Sequence, residues 1–171
     1  MIRKVTLSCA FVLAFTYLVL AAAKPDFNGA WMMDRARSFG LPGNMQQTMT
    51  VKQTGDQIEV ETKLIQPDNE RIVKDTYVLD GKEYEFAPPV PPNTPGDAPK
   101  SKGKRTSSWL PKGDGILVNE VTTTETAKGT VTSQVVKKWT FTAEGELTIA
   151  MFVDGPNGSY EAKRIFVRTK T

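Results

Sequence analysis

Lys137 and Arg164 carry the most suggestive chemistry in the chain. In segments that alternate with a period of two, each falls on a face otherwise held by apolar residues. Val131, Ser133, Val135, Lys137, Trp139 and Phe141 form one such face, and Arg164 stands within the closing segment from Ser159 to Arg168. An unpaired buried charge costs several kcal/mol, so a dry core would not select either residue. A cavity that receives an anion would. The facing segments supply the rest of a pocket: Gln47 and Thr62 as inward polar positions, and Met49, Val60 and Met151 as a wall for an apolar tail. The pattern therefore predicts an anionic head on Arg164, aided by Lys137. Bland readings stand beside it: Lys137 at a rim or turned to solvent by a bulge, and the methionines as core filler.

Catalysis finds less support. The chain has no histidine, which removes Ser-His-Asp machinery and the commonest general base, and it has no Gly-x-Ser-x-Gly elbow. Glu59 and Glu61 lie about 7 Å apart along one strand face, a spacing a glycosidase could use, yet alternating acids on an outer face ordinarily serve solubility. No catalytic residue is assigned. With no histidine and Cys9 as the one cysteine, a metal would have only oxygen ligands, and Asp154 to Gly158 lacks the spacing of a calcium loop. No metal or cofactor is implied. Asn157-Gly158-Ser159 matches a glycosylation sequon, but a Gly-Pro-Asn-Gly turn accounts for it.

Charge and targeting narrow the setting. Arg3 and Lys4 precede an apolar run from Val5 to Leu20 and the small residues Ala21-Ala22-Ala23, the layout of a cleaved signal peptide over 1–23. Cleavage leaves a domain over 24–171 that is nearly charge-balanced and free of cysteine, with no stable membrane span. The net charge of +3 and pI of 8.9 describe the uncleaved chain, and no basic cluster offers a footprint for nucleic acid. The expected location is the periplasm or the exterior. Without disulfides the domain must be held by core burial, which its size permits.

These residues need a scaffold of strands. The first runs from about Phe27 to Asp34 and places Phe27, Gly29, Trp31 and Met33 on one face. Met45, Gln47, Met49 and Val51 alternate with polar residues, Gly55-Asp56 turns the chain, and Ile58, Val60, Thr62 and Leu64 return. A strand over 71–79 follows with its inward face undecided between Ile72/Val78 and Val73/Tyr77/Leu79. Asp80-Gly81 predicts a tight hairpin, with 82–86 pairing back across it. Six prolines at 88, 89, 91, 92, 95 and 99 mark 87–103 as a surface loop, either a lid or a solvated insertion. Strands resume over 104–110, 116–125 and 131–141, then from Leu147 to Val153 and from Ser159 to Arg168. Ten strands joined largely by short turns are satisfied by a single all-β, antiparallel up-and-down barrel, because closure removes exposed edges.

Asp26-Phe27-Asn28-Gly29-Ala30-Trp31 resembles the Gly-x-Trp first strand of lipocalins and the Phe-x-Gly-x-Trp strand of intracellular fatty-acid-binding proteins, both calycins. The closest resemblance, over roughly the whole chain after 23, is to small exported lipocalin-like proteins of bacteria, which begin Phe-x-Gly-x-Trp-x-x-Asp and end in a Gly-Pro-Asn-Gly hairpin. Here those are Phe27 to Asp34 and Gly155 to Gly158. Arg164-Ile165-Phe166 looks like the Arg-x-Tyr motif that holds a carboxylate in fatty-acid-binding proteins, with Phe166 in the tyrosine position. The helical pair of those proteins is missing here. The resemblance implies a small apolar or fatty-acid-like ligand inside the barrel. It also implies a floor closed by Phe27, Gly29 and Trp31, with Arg164 or Arg168 stacked over the indole. The alternative is an exported, non-catalytic interaction module with a filled barrel, whose loops, 87–103 above all, meet a protein partner that the sequence does not name.

Overall fold

Alternation along the chain becomes ten strands: β1 (Gly29–Met33), β2 (Gln46–Thr54), β3 (Gln57–Gln66), β4 (Asn69–Val78), β5 (Asp80–Phe86), β6 (Ser101–Trp109), β7 (Gly115–Thr126), β8 (Gly129–Phe141), β9 (Leu147–Gly155) and β10 (Gly158–Arg168). They belong to a computed structural model that describes residues 24–40, 43–67, 69–89, 101–127 and 129–169. The leader expected over 1–23 lies outside the described residues, as does 90–100 of the proline-rich stretch.

All ten strands form one antiparallel sheet in the order β4-β3-β2-β1-β10-β9-β8-β7-β6-β5. Sequence neighbours pair throughout except β4 with β5, and the first strand pairs with the last, Trp31 opposite Arg168 and Met33 opposite Phe166. The sheet thereby rolls into a barrel that is closed except between β4 and β5. Side chains with inward parity fill it: Met49, Val51, Ile58, Val60, Ile116, Val118, Trp139, Leu147 and Ile149 are all buried. On β4 that inward face carries Val73, Tyr77 and, just beyond the strand, Leu79, whereas Ile72 is 53% exposed.

Two expectations fail, each for a local reason. β5 does not pair back onto β4 across Asp80-Gly81, although Gly81 has the positive φ of 75° expected of it; β5 pairs with β6 alone. Leu79 turns into the core instead, where its N–H donates to the Asp56 carbonyl at 2.8 Å, and burying a leucine is worth roughly 2 kcal/mol. The Asp80 carboxylate then accepts from Lys82 N–H at 3.0 Å and Tyr84 O–H at 2.9 Å, and the register slips between Asp80 and Glu83. The expected loop over 87–103 is also too long at its end. Ser101, Lys102 and Gly103 already belong to β6, opposite Thr124, Thr123 and Thr122, because the last proline is at 99 and the β-branched run of β7 offers a ladder.

One end of the barrel is sealed by aromatic rings. Phe27 and Trp31 are fully buried; Phe27 packs against Phe141 at 5.1 Å, Trp139 at 6.0 Å and Trp109 at 6.4 Å between centroids, and Trp31 lies 5.7 Å from Phe141. The indole N–H of Trp31 donates to the Phe27 carbonyl at 3.0 Å, so the polar edge of the ring is satisfied inside the plug. Gln53 ties the segment to β2 through Phe27 N–H and the Asn28 side chain.

Candidate functional site

Above this floor the barrel holds a row of charges. Arg105 on β6 donates through Nε to Glu120 of β7 at 2.8 Å, and through its terminal nitrogens to the Asp75 carboxylate at 2.5 Å and the Thr76 carbonyl at 3.0 Å on β4. Glu120 accepts in turn from Lys137 of β8 at 2.8 Å. Parity explains the gathering. Arg105 alternates with Gly103, Ser107 and Trp109, Glu120 with Ile116 and Val118, and Lys137 with Val135 and Trp139, so each charge shares a strand face with core residues. Burial opposes the charge on Lys137, and the negative groups facing it, the Glu120 and Asp75 carboxylates, hold the ammonium above its usual pKa. Burial likewise pushes the Tyr77 phenol up, so it stays neutral.

Arg164 of β10 stands apart from this row. Two carboxylates already balance Arg105 and Lys137, and Arg164 has neither an ion pair nor a hydrogen bond among the described residues; its Nε is buried without a partner. Burial pulls its guanidinium below the usual value, and no carboxylate among the described residues pairs with it to offset the loss of water. It remains charged, since an arginine does not deprotonate in a protein. Among the described residues the interior therefore carries one uncompensated positive charge.

That charge borders a cavity of about 190 Å³. Met49, Val60, Leu64, Val73, Ile149 and Met151 form its apolar wall; Gln47, Thr62, Asp75, Tyr77, Lys137 and Arg164 supply its polar groups, and Pro89 lies at its edge. The Gln47 side-chain oxygen is buried without a partner. Of the positions expected to meet a ligand, Arg164, Lys137, Gln47, Met49, Val60 and Met151 thus converge on one space. Phe166 does not. It is fully buried in the floor, opposite Leu147 and Met33, because its register on β10 sits one inward step below Arg164. The two candidates for the indole also separate: the Arg168 guanidinium carbon lies 4.5 Å from the Trp31 ring centre, while Arg164 faces the cavity. Gly29, at φ 130°, leaves the space, since a Cβ there would come within 3.3 Å of the Arg168 Nη1.

Asp75, Tyr77, Arg105 and Glu120 were not singled out by sequence reasoning. The signal lay in extending the alternation backward from Trp109 and forward from Ile116 and Val118, which puts Arg105 and Glu120 on the inner face. Glu59 and Glu61, by contrast, lie on the outer surface, where Glu61 pairs with Lys74 at 3.1 Å. Among the described residues no group of acidic, cysteine or histidine side chains is arranged to hold a metal, and no helix is long and apolar enough to cross a membrane.

No family model and no curated protein matches the sequence. Among solved structures, the chain is similar to the zebrafish ileal bile acid-binding protein complexed with cholic acid, at 17% identity and a TM-score of 0.49, over 84% of this chain and 98% of that one. It is also similar to a fatty acid transporter designated REP1-NXSQ, at 14% identity and a TM-score of 0.48, over 84% of this chain and 96% of that one.

Proposed function

We propose that this chain is an exported, non-catalytic binding protein whose barrel holds a small amphipathic anion, its carboxylate on Arg164 and its apolar body against Met49, Val60, Ile149 and Met151. The observation that carries the reading is a guanidinium without an ion-pair partner among the described residues, its Nε buried and unpaired, facing a cavity lined by an apolar wall and a set of polar groups. A fold keeps an unsatisfied interior charge at a cost, and a ligand carboxylate removes that cost through charge-assisted hydrogen bonds. Lys137 and the Tyr77 hydroxyl stand beside the same space and orient the head group. The cavity is close in size to the roughly 150 Å³ that admits benzene, so a ring or a short alkyl chain fits within it and a longer tail extends toward Pro89.

Isothermal titration of the mature protein with decanoate and with decanol tests this. Decanoate is expected to bind about tenfold or more tightly, the worth of a hydrogen bond to a charged group; equal affinities, or no binding by either, would refute the assignment. Export rests on the composition of 1–23. Lys24, the first residue after the proposed cleavage, is held by Asp56 at 2.7 Å and lies 4.7 Å from the Trp109 ring centre. N-terminal sequencing of the product recovered outside the cytoplasm is expected to begin at Lys24; a protein found only inside the cell with its leader intact would overturn export without touching the binding site.

A further inference from the structure

The barrel wall is laced by main-chain ladders everywhere except between β4 and β5, and Arg105 is what bridges that break. Its side is anchored: Nε is held by Glu120, and the guanidinium stacks 4.3 Å from the Phe86 ring of β5. Phe86 lies directly on Gly103, where an added Cβ would come within 2.5 Å of the ring. From this anchor Arg105 reaches across to the Asp75 carboxylate and the Thr76 carbonyl, and its guanidinium lies 4.5 Å from the Tyr77 ring of β4. A guanidinium in contact with two rings, one from each unpaired edge, ties strands that share no ladder.

The rest of the seam is weakly held. β5 has one neighbouring strand, an irregular register at its start, and side chains that are exposed along its length until Phe86. Leu79, buried and bonded to Asp56, pins the lower end, while the upper end runs to Pro89 at the edge of the cavity. Elements with few buried contacts and one ladder open most readily.

We propose that β4 parts from the β5–β6 pair about a hinge at Leu79, that this widens the cavity toward Pro89, and that Arg105 is the clasp that sets how often it happens. This deepens the binding reading and rests on it for its purpose: ligand exchange runs through the seam, and Arg105 acts by positioning the two edges, with Arg164 left to hold the head group.

The test uses the chain carrying Cys9→Ser and a reporter, Ser107→Cys. Ser107 is 2% exposed, faces inward two residues from Arg105, and has no hydrogen-bond partner to lose. A bulky maleimide reaches this thiol only when the wall opens. Arg105→Lys keeps the charge and loses the fork, and is expected to accelerate labelling about tenfold or more, the worth of a charge-assisted hydrogen bond. Decanoate dissociation should quicken by a similar factor. Ile116→Val serves as a control for general loosening of the core. An unchanged labelling rate in Arg105→Lys, or equal acceleration by Ile116→Val, overturns the clasp. If decanoate fails to bind at all, the cavity assignment falls, and the maleimide rates still decide the seam.

Discussion

Replacing Arg164 by methionine is expected to make the ligand-free protein more stable while ending its preference for carboxylates. Methionine fills similar space beside Met49, Ile149 and Met151 and removes the one interior charge that no carboxylate balances. Exchanging buried charge for well-packed apolar groups is often neutral or stabilising by about 1–4 kcal/mol. In a chain of this length each kcal/mol moves the melting temperature by about 2–4 °C, so a rise of several degrees should be visible in a thermal scan. Decanoate and decanol should then bind alike. Arg168→Ala supplies the contrast: it removes a cation–π contact worth about 0.5–1 kcal/mol at an exposed site, so stability falls slightly and ligand preference stays. Should Arg164→Met lower the melting temperature and leave the carboxylate preference intact, Arg164 is a structural residue and the head group lies elsewhere. A position where stability and binding move in opposite directions is hard to explain by packing alone.

The barrel was legible where one rule governed. Strands with clean alternation, such as Met45 to Val51 or Ile58 to Leu64, announced both their existence and their inward face, because a one-residue slip would turn every apolar side chain to water. The break between β4 and β5 was hidden by Asp80-Gly81, a strong hairpin signal that was outweighed by a nonlocal event, the burial of Leu79 against the Asp56 turn. The site was half readable for a related reason. Lys137 and Arg164 stood out as charges on apolar faces, but Glu120 and Arg105 lie in segments rich in threonine, serine and lysine, where polar residues occupy both faces and parity carries little contrast. Read without Glu120, Lys137 looks like a free cation. In the folded chain it lines the cavity while paired with Glu120, so the unbalanced charge is that of Arg164.

That bookkeeping of interior charge can be altered from the other side. Glu120→Gln removes the carboxylate that holds both Arg105 Nε and Lys137 Nζ, each at 2.8 Å. A glutamine oxygen can accept from one of them, while its amide presents donors to the other. Glu120 is 7% exposed, so water does not replace the lost partner. Breaking a buried ion pair from one side costs about 3–5 kcal/mol, which predicts a large shift in the urea midpoint with little change in slope. The same substitution raises the interior surplus from one positive charge to two, and Lys137, which already lines the cavity with Arg164, loses its partner and becomes free to hold an anion there. An anion should therefore rescue the variant more than it stabilises the parent. Ligand at about a hundred times its dissociation constant contributes roughly 2.7 kcal/mol, and the tighter site in Glu120→Gln should gain more at the same decanoate concentration. Decanol should rescue neither. If the variant loses less than about 1 kcal/mol, the charged row is wetter than its burial indicates; if decanoate stabilises parent and variant equally, Lys137 does not share the head-group site, and Arg164 holds the anion alone.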